Sequence, residues 1–155
     1  MSKTGVTGGC QCGGVRFAVD GPLGRPSICH CRMCQKAFGG FYGPLVGAPG
    51  LRWTRGEPKR FRSSNAVRRG FCEDCGTPLT FEPDGGSVDV AIGALDDPAL
   101  AQPMIQLARA SRLTWVDDLA SLPAESEVLE IAEHATIVSY QHPDYDTAAS
   151  PRSDT

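Results

Sequence analysis

The sequence predicts a mainly β fold in a single metal-binding domain. Three observations carry that expectation. Glycine (18) and proline (12) are frequent and dispersed through 155 residues, which works against long helices. Several short stretches alternate apolar and polar residues between turn signals. Seven cysteines fall in clusters rather than singly: Cys10 and Cys12, then Cys29, Cys31 and Cys34, then Cys72 and Cys75.

The elements can be taken in order. "GVRFAVDG", bounded by glycines, reads as a strand with one buried and one solvated face. "KRFRSS", "AVRRGFC" and "PLTFEP" read as short strands. "SVDVAIGAL" is the clearest strand, with Val88, Val90 and Ile92 on one face. "DDPALAQP" reads as a turn or a single helical turn, and "IQLARASRLTWV" fits either period. "EVLEIAEHATIVSY" begins helix-like and ends strand-like. Residues 1–142 read as one zinc-binding domain, and 143–155 as a polar tail that frays.

Composition narrows the class. Hydrophobic residues make up 41% and charged residues 21%, an ordinary soluble profile. No apolar run reaches the roughly 20 residues needed to span a membrane. The first residues, "MSKTGVTGGCQCGG", contain no apolar signal region, so a cytoplasmic protein is expected. In a reducing compartment seven thiols point to metal rather than to disulfides or redox cycling. There is no Walker loop, no dinucleotide fingerprint and no nucleophile elbow.

Cys-x-Cys and Cys-x-x-Cys each place two thiolates about one tetrahedral edge apart, and two such pairs close a zinc site. Gly13 and Gly76 follow the second cysteine of "CQCGG" and "CEDCGT", where a positive φ turns backbone N–H groups toward sulfur. Spacing leaves two pairings open. Joining Cys31 and Cys34 with Cys72 and Cys75 makes a zinc ribbon and leaves three thiols over. Joining Cys10 and Cys12 with Cys72 and Cys75 makes a closed site and leaves Cys29, Cys31 and Cys34 as a trio with one open position, the catalytic pattern. If residues 29–31 are extended, His30 points away from Cys29 and Cys31, so it reads as a neighbour rather than a ligand.

"GGCQCGGVRF", "CHCRMCQKAFGG", "RGFCEDCGTPLTF" and, more loosely, "LTWVDDLASLPAE" resemble the glutathione-dependent formaldehyde-activating enzyme family, which shares its domain with centromere protein V. The resemblance covers roughly residues 8 to 123. It implies an Mss-four-like fold of coiled antiparallel β-sheets with zinc knuckles. It also implies structural zinc on Cys10, Cys12, Cys72 and Cys75, and catalytic zinc on Cys29, Cys31 and Cys34. The activity it implies is that of a carbon–sulfur lyase resembling S-(hydroxymethyl)glutathione synthase, with a small thiol such as glutathione as partner.

Other residues bear on that reading. Arg52, Arg55, Lys59, Arg60, Arg62, Arg68 and Arg69 give residues 52–69 a charge of +6 against a whole-chain charge of −3. With Arg32 and Lys36 they could hold the carboxylates of a thiol substrate, or line solvated strand faces. Phe38, Phe41 and Tyr42 could wall a pocket over the trio, or pack as ordinary core. Trp53 and Trp115 read as core or pocket wall, and His134 and His142 carry no assigned role. The alternative from another class is a non-catalytic zinc module that recognises a macromolecule through the basic segment. The overall negative charge argues against nucleic acid as that partner. Nothing in the sequence indicates an oligomeric state.

Overall fold

The computed structural model describes residues 5–148. In chain order the strands are β1 (Val6–Gly9), β2 (Arg16–Val19), β3 (Ser27–Cys29), β4 (Gly43–Gly47), β5 (Leu51–Arg55), β6 (Lys59–Arg62), β7 (Val67–Phe71), β8 (Pro78–Pro83), β9 (Asp89–Ala91) and β10 (Ile105–Leu107). Two α-helices, α1 (Arg32–Phe38) and α2 (Glu127–His134), and four short 3-10 helices complete the chain. The protein is therefore mainly β, as expected. β1, β2 and β5 form a small antiparallel sheet in the order β1-β2-β5. The other strands form a larger sheet in the order β10-β3-β4-β9-β8-β7-β6, antiparallel except where β10 runs parallel to β3.

The core sits between the sheets. Phe17 and Val19 come from the small sheet, and Val46, Leu79 and Val90 from the large one; all five are fully buried. Trp53 packs its ring edge-on to Phe17, with centroids 6.0 Å apart. Each such side chain contributes about 1.5–3 kcal/mol on burial. The sheets thus own a hydrophobic core, and the cysteine loops add to it. Close approach at Gly8 permits this packing: a Cβ there would lie 2.3 Å from the carbonyl oxygen of Ala94.

Two segments depart from the sequence-based expectation. The strand in "SVDVAIGAL" stops at Ala91, and Ile92–Ala94 forms a 3-10 helix. The chain turns there to bring Leu95 against Gly8 of the other sheet, so Ile92 does not continue the face of Val90. The end of "EVLEIAEHATIVSY" forms no strand, whereas its start is α2, capped by the Ser126 hydroxyl on the Leu129 N–H. From Pro143 the described residues contact the domain. Asp146 accepts from Nε and Nη2 of Arg16, and Thr147 accepts from Arg55. No helix among the described residues is long and apolar enough to cross a membrane.

"GVRFAVDG" forms β2 as expected, but all four of its residues are buried. Its polar face does not meet water, because Arg16 is only 3% exposed and ion-paired. The guanidinium grips Asp96 with two bonds, Nη1 to Oδ1 at 2.8 Å and Nη2 to Oδ2 at 2.6 Å. Burial alone would raise the Asp96 carboxyl, but Arg16 and the Thr7 hydroxyl outweigh it and hold the carboxyl below the usual carboxylate range.

A carboxyl lowered in this way contributes stability above its unfolded pKa of about 4 and loses it as pH falls through the lowered folded value. Asp96→Asn should cost about 3 kcal/mol at pH 7, the lower end for breaking a buried pair because Asp146 remains. Urea unfolding from pH 7 to pH 2.5 checks it. The gap between wild type and variant should narrow below about pH 4.

Candidate metal centre

The β1–β2 loop and the β7–β8 loop are built alike. In the first, the Cys10 N–H donates to Val15 O and the Gly13 N–H to Cys10 O. In the second, the Cys72 N–H donates to Thr77 O and the Gly76 N–H to Cys72 O. Gly13 and Gly76 take φ of +74° and +78°, the left-handed turns expected of them. Both loops aim N–H groups at sulfur, as the Val15 N–H does at 3.2 Å from Cys10 Sγ. A bond of 2.9 Å from the Gln11 N–H to the Thr77 hydroxyl ties the loops together.

This arrangement brings Cys10, Cys12, Cys72 and Cys75 together, with all four sulfurs within 4.8 Å of one another. Cys10 and Cys12 are 3.5 Å apart, and Cys12 and Cys72 are 3.8 Å apart. A tetrahedral zinc with bonds of about 2.3 Å separates its sulfurs by about 3.8 Å, so the set fits the ion. Burial raises the Cys12 and Cys72 thiols. Burial acts the same way on Cys75, but the Thr77 hydroxyl and neighbouring N–H groups outweigh it and bring that thiol down to about 6.

Cys29, Cys31 and Cys34 form a second group within the same 4.8 Å limit, and no fourth Cys, His, Asp or Glu among the described residues joins it. Cys29 ends β3, Cys31 is the N-cap of α1, and Cys34 lies in that helix's first turn. The Cys31 sulfur accepts from the Cys34 N–H at 3.3 Å. Burial would raise Cys31, yet this bond, its two thiol neighbours and Arg69 together lower it. Cys34 is 1% exposed, and burial pushes its thiol up to about 12 against the pull of Arg69.

Neighbouring residues hold the trio in place. Gly39 closes α1 in a left-handed cap with φ of +61°. Gly43 lets the helix lie on β4, since a Cβ there would come within 2.9 Å of Cys34 Cβ and of the Phe38 ring. Gln35, buried, donates through Nε2 to His30 O at 2.7 Å and to Ser111 O at 3.1 Å. His30 is fully buried and bonds Gln106 through Nε2 at 2.9 Å, with Tyr42 against its ring. It lies outside the thiol group, as the extended backbone at this turn implied.

The other expected residues divide. Phe38 packs against the core and Tyr42 against His30, while Phe41 is half-exposed and stacks edge-on with Trp115 at 4.7 Å. Trp53 packs against the core, and Trp115, 45% exposed, takes its place beside Phe41 instead. A groove of about 400 Å³ lies beside α1, lined by Arg32, Met33, Lys36, Ala37, Phe61 and Ser63. Most of the basic segment is paired with acids: Arg52 with Asp20, Lys59 with Glu73, Arg60 with Glu82 and Arg62 with Asp84. What sequence reasoning missed is the burial of four polar residues: Arg16, Gln35, Arg69 and His142. Arg69 carried a signal, since it shares a strand face with Val67 and Phe71. His142 carried none; its N–H bonds Gln11 O at 2.7 Å and its ring covers Gly13.

The sequence profile of the family described as glutathione-dependent formaldehyde-activating enzyme matches residues 5–110, ending before "LTWVDDLASLPAE". The chain is also similar to a Rhodobacter sphaeroides protein of known crystal structure, at 20% identity and a TM-score of 0.48, over 64% of this chain and 98% of that one. No curated protein matches.

The tight fit at Gly43 is testable. Gly43→Ala should push α1 off β4 and cost about 1–3 kcal/mol, the range for overpacking. Thermal unfolding measures it. An unchanged melting temperature would show that α1 shifts freely, contrary to this packing.

Proposed function

The chain belongs to the glutathione-dependent formaldehyde-activating enzyme family, and on that premise we propose that it makes or breaks the carbon–sulfur bond of a thiol–aldehyde adduct at Cys29, Cys31 and Cys34. The family is named for formaldehyde and glutathione, and these are the proposed substrates. The observation that carries the reading is the unequal pair of thiol groups, one of four and one of three. Four thiolates complete a tetrahedral zinc and serve the fold; three leave a place for substrate.

In this reading Cys10, Cys12, Cys72 and Cys75 hold structural zinc, and Cys29, Cys31 and Cys34 hold catalytic zinc. The second ion would keep a substrate thiol ionised or polarise a carbonyl oxygen. The residues of the chain supply position. Cys29 is fixed by the β3–β4 and β3–β10 pairing, and Cys31 and Cys34 by the first turn of α1. In the synthetic direction the thiol sulfur bonds the aldehyde carbon, the carbonyl π pair moves to oxygen, and the thiol proton ends on that oxygen. The reverse releases both reactants, and no electrons are gained or lost. Arg32 and Lys36 stand at the groove beside α1, where cations could meet the carboxylates of glutathione. This makes the protein a carbon–sulfur lyase.

Metal analysis of protein purified without added zinc should find two ions per chain, one of them easily removed by chelator. Cys31→Ser should lose the labile ion and keep the fold. Cys75→Ser should unfold the domain, because structural zinc contributes about 10 kcal/mol or more to a total stability of about 5–15. A single tight ion, or unfolding by Cys31→Ser instead, would overturn the two-site assignment.

The activity is read separately. Exchange NMR of formaldehyde with glutathione should show adduct formation accelerated by the protein, with the acceleration absent from Cys31→Ser. No acceleration with any small thiol–aldehyde pair would favour a non-catalytic zinc module.

A further inference from the structure

Arg69 is the buried member of the basic segment. It is 4% exposed, and among the described residues it forms no ion pair with a carboxylate. Its Nη2 donates to Cys34 Sγ at 3.3 Å and its Nε to the Ser63 hydroxyl at 2.9 Å. The guanidinium lies over the Phe81 ring, 5.0 Å from its centroid. Phe81 is also its cross-strand partner on β8, and Phe61 is its partner on β6. The side chain is therefore clamped by two hydrogen bonds and a ring, pointing from mid-strand β7 at the thiol trio.

A buried guanidinium without an anion is costly, since arginine cannot shed its proton. Ser63 offers a dipole and Phe81 a ring face, but neither carries a charge. Among the described residues, the ionisable group hydrogen-bonded to Arg69 is Cys34. A neutral thiol does not balance the guanidinium, whereas a metal-bound thiolate does. The balance also works from the other side. Three thiolates on a divalent ion leave a net charge of −1, and one guanidinium cancels it. The sulfurs of the four-thiol group meet N–H groups and the Thr77 hydroxyl.

We propose that Arg69 is a positioning residue for the three-thiolate site, a fixed counter-charge that orients Cys34 and lets three thiolates share one divalent ion in a buried place. The inference rests on the two-site reading above. It also accounts for Ser63, whose hydroxyl holds the guanidinium from the groove side.

The test uses the full chain, with zinc and cobalt(II) affinities measured at both sites by competition with a chromophoric chelator. Arg69→Gln should weaken the more weakly held ion 10- to 100-fold, the usual loss when a group hydrogen-bonded to a metal ligand is removed. It should leave the tightly held ion unchanged, which also reports that the domain is folded. Arg69→Lys should recover most of the lost affinity, because the charge is kept; a purely structural role for Arg69 would leave Lys no better than Gln. The sulfur-to-cobalt charge-transfer band of the weaker site should shift in Arg69→Gln alone. Should Arg69→Gln fail to fold, Ser63→Ala serves instead, and a few-fold loss at the weaker site is expected. Wild-type affinity at the weaker site in Arg69→Gln, or in Ser63→Ala where Gln does not fold, overturns the proposal. A wild-type protein that binds only one ion overturns the two-site reading instead, so the two failures are distinct.

Discussion

The junction of the β1–β2 and β7–β8 loops is the constraint on which the structure depends. One loop belongs to the small sheet and the other to the large one, and each is too short to pack a core of its own. They meet through four sulfurs within 4.8 Å and the bond from Gln11 to Thr77. That contact joins the sheets at one end, while Phe17, Val19, Leu79 and Val90 join them along their faces. The chain after α2 returns to the same junction, where His142 covers Gly13 and bonds Gln11. The loop pair therefore joins the sheets at one end and receives His142 from the end of the described chain.

The trio depends on this frame at one remove. Its sulfurs sit where β3 turns into α1, and that turn is held by β3's neighbours rather than by its own seven-residue helix. A helix this short has little stability alone. Gln35 bridges His30 and Ser111, Gly43 gives α1 its seat, and β7 presents Arg69 to Cys34. Each of these supports comes from a different part of the chain, so the three thiols are preorganised by the sheet.

How much of this was legible in the sequence differs by kind of signal. The thiol grouping was, because Cys-x-Cys and Cys-x-x-Cys spacing and the glycines after them are local. So were β2, β6, β7 and β8, whose alternation is short-range. β10 was not, because its parallel pairing with β3 joins residues almost eighty positions apart. Nor were the buried polar contacts. Arg16 read as the solvated face of its strand, and only Asp96 and Asp146, far along the chain, place it inside. Arg69 looked like one more member of a basic block, although its strand face is shared with Val67 and Phe71. Buried charge is hard to read from sequence because its justification lies in a distant partner.

That point bears on the basic segment as a whole. Read linearly, residues 52–69 are a cationic block facing an acidic remainder. In the fold the two interleave: Arg60 and Arg62 of β6 meet Glu82 and Asp84, at or just past the end of β8, and Arg52 of β5 meets Asp20 beside β2. The exposed pairs, Arg52 with Asp20 and Arg62 with Asp84, contribute at most about 1 kcal/mol each, so they explain little stability. What they do is cancel the field that a macromolecular anion would need. Arg68 and Arg69, adjacent on β7, show the two fates open to a strand arginine. One points to solvent, and the other turns inward, where its contacts are a hydroxyl, a ring and the sulfur of Cys34. Since the hydroxyl and the ring are neutral, the proposed reading gives the opposing charge to sulfur, as a thiolate that a metal ion would share.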